Sequence, residues 1–277
     1  MTDYATASYG FSENGAMPSG MPKTSLTILS NTSSPSSNRK HTPNSRYRWT
    51  EYMDGSKAEG LINSIAFAEE IGLPLNQWLT IHFEKGQLDA SWQGKDWREQ
   101  DALGRFLRLI GQWFATKGVP MTYVWVMENA VGRGAHLGGN GMHAHILLHC
   151  PRELVKDFQH KADGRWLELS GMKPLAGVLH SRRVAGRQFD GKDKEPEHRH
   201  QGYYKGLAGL LLYCLEGIDP EDHERLKGSD NELIAVIMNK LERSASLPIF
   251  GRRVSRSENI GITAQKRHRM QQEGKLN

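Results

Sequence analysis

Apolar and polar positions fall into two periods along this chain, and the switches between them predict its elements. Up to about residue 45 neither period is present. About one-third of those residues are Ser or Thr, interrupted by Gly, Pro and Asn. Such a stretch (SNTSSPSSNRKHTPNS) buries too little apolar surface to offset its ordering entropy, and it reads as a disordered tail over 1–45. From Tyr47 the pattern changes. Helical spacing predicts a helix over 57–72, with Ser56 as its cap, Gly72 as its stop and Pro74 beyond. LNQWLTIHFE (75–84) is rich in β-formers and reads as a strand. Residues 96–117 carry Leu103, Phe106, Leu107, Ile110 and Phe114 on one helical face. Two strands follow, MTYVWVMEN (121–129) and MHAHILLHC (142–150), joined by a glycine-rich turn. A helix over 151–169, a short strand near 178–184, an exposed loop over 186–200 and helices over 203–217 and 230–244 complete the pattern.

The order β-α-β-β-α-β-α predicts an α+β fold, a central, mainly antiparallel sheet flanked by helices, because the second and third strands form a hairpin. A core domain over 46–220 and a helical, basic extension over 221–277 are expected. The net charge of +5 over 277 residues points weakly to a polyanionic partner. The chain has two cysteines, Cys150 and Cys214, and no CxxC pair. A reducing, cytoplasmic setting is therefore expected. The longest apolar run is too short to span a membrane, and the first residues do not read as a secretory leader. The phosphate-binding pattern GxxxxGK[ST] is absent, which argues against an NTP-driven motor.

Candidate chemistry concentrates in GMHAHILLHC (141–150). On a strand, alternate side chains share a face, so His143, His145 and His149 point the same way. The rise per residue separates His143 from His145 by roughly 7 Å along the strand, and His149 from His145 by roughly 13 Å. The first two can converge on one ion. The third is too distant and reads as structural. Glu128 ends the facing strand of the hairpin, where an unpartnered carboxylate would be costly to bury. Two imidazoles and a carboxylate suit a divalent metal, Mg or Mn, with positions open for a phosphate. A histidine-triad nucleotide hydrolase would need a third histidine at position 147, which is Leu147.

The segment WVMENAVGRGAHLGGNGMHAHILLHCP resembles the metal-site hairpin of the HUH endonucleases, which include rolling-circle replication initiators and relaxases. His143-Ala144-His145 matches their His-hydrophobic-His motif. LTIHFE (79–84) is similar to their first strand motif, YKGLAGLLLYCLEG to their tyrosine helix, and GRRVSRSENIG to C-terminal ends of bacterial replication proteins of this kind. The similarity covers roughly residues 75–220 and, weakly, the tail. It implies an HUH-type nuclease domain over 46–220 that nicks single-stranded DNA through a tyrosine, forming a 5′-phosphotyrosine. The implied partners are single-stranded DNA or an origin hairpin and a host helicase, inside a bacterial host. The weaker alternative is a replication-initiator-like DNA-binding protein or repressor.

The resemblance makes Tyr213 the first candidate nucleophile and Tyr204 the second. It also exposes a departure. Where family members carry a lysine one turn beyond the tyrosine, this chain has Glu216. Lys205 or an arginine then supplies the charge, or Tyr204 attacks, or activity is reduced. Arg182, Arg183 and Lys205 before and within the tyrosine helix, with Arg252 and Arg253 in the tail, are the expected DNA contacts. Trp92, Trp97 and Trp113 carry stacking faces, but for Trp97 and Trp113, on the amphipathic helix, core packing is the stronger expectation.

Overall fold

The computed structural model describes residues 49–88, 98–130, 141–184, 196–243 and 247–275, apart from the side chains of 130, 196–202, 204 and 205. The expected tail over 1–45, the glycine-rich turn over 131–140, Trp92 and Trp97 lie outside them. In chain order the elements are β1 (Trp49–Thr50), α1 (Gly55–Glu70), β2 (Gln77–His82), α2 (Arg98–Thr116), β3 (Tyr123–Ala130) and β4 (Gly141–Leu148). A 3₁₀ turn (Arg152–Leu154) leads to α3 (Val155–Ala162), α4 (Arg165–Leu169), β5 (Leu179–Arg183), α5 (Pro196–Leu215), α6 (Pro220–Lys227) and α7 (Glu232–Lys240). The chain closes with β6 (Ile249–Phe250), β7 (Val254–Arg256), a 3₁₀ turn (Glu258–Ile260) and α8 (Ile262–Gln272).

The fold is α+β, as expected. Its central sheet has the order β5-β2-β4-β3-β7, every neighbouring pair antiparallel. Alternation along these strands makes two unlike faces. One carries Leu79, Ile81, Trp125, Met127, Ala144, Ile146 and Leu148, and it packs under α2, α3 and α4. The apolar stripe of α2 meets it with Leu103, Phe106, Leu107, Ile110 and Phe114, all buried. Trp113 packs beside Phe114, Phe158 and Trp166 with ring centroids 5.1, 6.1 and 5.5 Å away, so its ring belongs to this core. The other face carries Trp78, Val124, Val126 and Leu147 under α1, α5 and α7. It is also the face of His143, His145 and Glu128.

Several elements depart from the expected ones for local reasons. The cap of α1 is Asp54, not Ser56. The Asp54 carboxylate accepts from the Lys57 N–H at 3.0 Å, and the Ser56 hydroxyl donates to Asp54. Gly72 does stop the helix, at φ 76°. The helix expected over 151–169 breaks at Asp163 and Gly164 into α3 and α4. The helix expected over 230–244 is the shorter α7, and α6 forms before it where no helix was expected. Asp219 caps α6, with Pro220 in its first turn, and Asn231 caps α7.

The chain beyond 220 is no appendage. Strand β7 forms an edge of the central sheet against β3, and the described residues cluster as one compact unit. Arg253, expected on DNA, is 2% exposed. Its guanidinium donates to the backbone carbonyls of Thr50, Glu51 and Leu247 at 3.2, 2.6 and 2.7 Å. A charge held this deep must spend its donors on protein acceptors, so it staples β1 to the C-terminal strands.

Candidate metal centre

Register alone brings the three expected ligands together. His143 pairs with Glu128 on β3, so their side chains rise from the same face of adjacent strands, and His145 follows two positions on. All three are buried, at 0%, 2% and 8% exposure for His143, His145 and Glu128. Glu128 Oε2 lies 3.3 Å from His143 Nε2 and 3.6 Å from His145 Nε2. Those separations are long for hydrogen bonds. Glu128 Oε1 and both Nε2 atoms are buried with no hydrogen-bond partner among the described residues. One ligand atom from each residue falls within 4.8 Å of the others, the one such cluster among the described residues. Buried polar atoms are normally paired. Three orphaned atoms converging on one point fit a cation, and the triad can hold a metal ion.

The far side of each imidazole fixes its aim. His143 Nδ1 lies 3.0 Å from the Gly141 carbonyl, which can only accept, so Nδ1 carries a proton and Nε2 is the atom turned toward Glu128. His145 Nδ1 lies 3.0 Å from Thr80 Oγ1, which also accepts from Trp78 Nε1 at 2.8 Å. Burial opposes charge on Glu128, but the two imidazoles outweigh it and hold the carboxyl at about 2. Burial likewise opposes charge on His143, yet Glu128 raises its pKa; burial lowers that of the fully enclosed His145. The centre therefore favours an ionised carboxylate and, at His145, a neutral imidazole, and a cation would displace any proton from His143 Nε2 on binding.

Of the two expected tyrosines, Tyr213 has a described side chain. Tyr213, half-buried on α5, packs its ring against His145, with centroids 4.7 Å apart and planes at 78°. It also approaches Trp78, at 6.3 Å. Tyr203 is wholly buried and donates to the Leu75 carbonyl at 3.3 Å, a structural role. The side chains of Tyr204 and Lys205 lie outside the described residues. Arg182 is exposed, with its guanidinium 5.7 Å from the Trp78 ring centroid on the face of the triad. Arg183, the next residue, alternates to the opposite face with Leu179. Arg252 is exposed in the turn before β7. His149 stands apart from the triad, donating to the Pro74 carbonyl at 2.9 Å.

Two imidazoles beside the triad escape a reading of the sequence. His82 pairs with His143 in register and stacks on it at 5.6 Å, and His180 on β5 meets His82 edge-on at 5.4 Å. The strand LTIH ends in one of them, but only the register of three strands puts both beside His143. Among the described residues no helix is long and apolar enough to cross a membrane. No family model, no curated protein and no solved structure matches the chain.

Proposed function

We infer that the chain is a metal-dependent single-stranded DNA endonuclease and strand transferase with Tyr213 as its nucleophile. The observation that carries this reading is the 4.7 Å contact between Tyr213 and His145, which sets a phenol from α5 against the buried triad of the sheet. Glu128, His143 and His145 would hold a divalent cation, Mg or Mn by the mixed ligands, which would supply Lewis-acid stabilisation of the scissile phosphate's charge. Tyr213 Oη attacks phosphorus. The Oη–P bond forms as the P–O3′ bond breaks, and the phenolic proton ends on the 3′-oxygen. The products are a 5′-phosphotyrosine and a free 3′-hydroxyl. One phosphodiester replaces another, so the reverse attack reseals the strand without ATP.

A free phenol has a pKa near 10, so it needs a positive neighbour. Arg182 supplies one on this face, next to Trp78 and near enough to act on His145. That role fits the beginning of rolling-circle-type replication or mobilisation, with single-stranded DNA or an origin hairpin as substrate and a host helicase as partner. Glu216 favours a second reading. It acts on His143 from one turn beyond Tyr213, where a cation would serve the chemistry better. In that reading the protein binds DNA as a weakened initiator or repressor.

A nicking assay on a single-stranded oligonucleotide with manganese separates the two. The nuclease gives a covalent protein–DNA adduct that Tyr213→Phe abolishes. Binding with no adduct at any metal sinks the nuclease and supports the repressor.

A further inference from the structure

The triad is buried, but the imidazoles beside it lead outward. His143 is buried, His82 on the next strand is half-buried, and His180 on the edge strand β5 is exposed. The three rings touch in that order, at 5.6 and 5.4 Å. His82 Nδ1 is buried with no hydrogen-bond partner among the described residues. At the outer end of the row stands Gly177, at φ 81°. A methyl group placed there would meet Lys85 Nζ at 3.7 Å and His180 Nε2 at 4.0 Å. Two nitrogen donors thus face one small open place that the missing side chain leaves free. Lys85 is exposed, and its charge acts on His82. The other groups acting on His82 are the imidazoles of His143, His180 and His145.

A lysine ammonium and an imidazole facing one open place, with a second imidazole packed against the first, make an anion site. Edge strand β5 continues from His180 to Arg182 on the same face. We propose that Lys85, His82 and His180 form a phosphate subsite on the β5 side of the triad, holding the phosphodiester of a single strand next to the one that Tyr213 attacks. The inference rests on the strand-cleaving reading for the position of that second phosphate, but it concerns binding and needs no metal. In it, Lys85 and His180 position the strand and His82 links the subsite to the triad.

The test is the anisotropy of a short fluorescent oligodeoxynucleotide, titrated with the full chain in EDTA across a salt series. Lys85 and His180 are exposed, so Lys85→Ala and His180→Ala leave the core intact, which circular dichroism checks. The double variant is expected to bind several-fold more weakly. Its slope of log affinity against log salt is expected to shrink by about 0.7 for the one phosphate lost. Unchanged affinity and slope in the double variant overturn the subsite, as does a wild-type protein that fails to bind the strand. Inorganic phosphate at constant ionic strength should displace the strand only weakly. Strong displacement that Lys85→Ala removes identifies a free-phosphate site and overturns the strand assignment. If wild type forms no tyrosine adduct while strand binding still depends on Lys85 and His180, the nuclease reading falls and the subsite stands.

Discussion

Glu128 carries the electrostatics of the centre. Replacing His143 or Glu128 with Ala removes one of three convergent ligand atoms. Isothermal titration with manganese should show affinity falling by at least about 10-fold in each variant, the scale on which even supporting partners of a metal ligand act. Unchanged affinity in both would contradict the centre. Without metal, the same carboxylate links stability to pH. Its folded pKa is depressed from 4.5 to about 2, so the folded state favours the ionised form. That contribution is fully present above the unfolded value of 4.5 and is lost as pH falls toward 2. In EDTA, the stability gap between wild type and Glu128→Gln should therefore be widest between the unfolded values of 4.5 for the carboxyl and 6.5 for His143, close through that acid window, and narrow as pH rises above 6.5, as denaturant titration at each pH would reveal. These residues were legible in the sequence because an i, i+2 histidine pair and a strand-end Glu are local signals. His82 and His180 were not, since their place beside His143 depends on a register that joins residues about 60 and 40 positions away in the chain.

At the scale of elements, β4 begins at Gly141, with φ 58°. A Cβ there would both strain the backbone and run into the Glu84 carboxylate. The Gly141 carbonyl also orients His143. Gly141→Ala is therefore expected to weaken manganese binding by displacing the start of β4, although it removes no ligand. Equal affinity in wild type and variant, read by the same titration, would show that the strand start does not tune the centre. The amphipathic α2 followed from its period, because one face of it is buried against the sheet, and the strands followed from their β-formers, because helices cover the sheet on both faces. Helix boundaries followed less well. Ser56 and Asp54 are both good caps, and only the geometry of the turn selects Asp54. The break between α3 and α4 lies at Asp163-Gly164, inside a pattern that otherwise continues as helix.

The whole molecule closes through its last quarter. Composition made 221–277 a basic extension, because short strands such as β7 and a buried arginine leave no periodic trace. The structure uses Val254–Arg256 as a sheet edge and Arg253 as a staple between distant segments. Arg253→Leu removes the part-buried hydrogen bonds from this donor to the carbonyls of Thr50, Glu51 and Leu247. The expected cost is roughly 2–4 kcal/mol, from the loss of a set of charge-assisted hydrogen bonds. Thermal unfolding should record it as a lower Tm, with the oligonucleotide salt slope unchanged; a smaller slope at unchanged Tm would return Arg253 to the DNA-contact role. The central claim joins the two halves of the fold, a metal triad on the sheet and a phenol on α5. Its most direct test is mass spectrometry of a proteolysed reaction of the full chain with manganese and a single-stranded oligonucleotide. The account predicts a nucleotide attached through its 5′-phosphate to the peptide bearing Tyr213. Attachment to Tyr204 or any other residue, or no attached nucleotide at any metal, would contradict it.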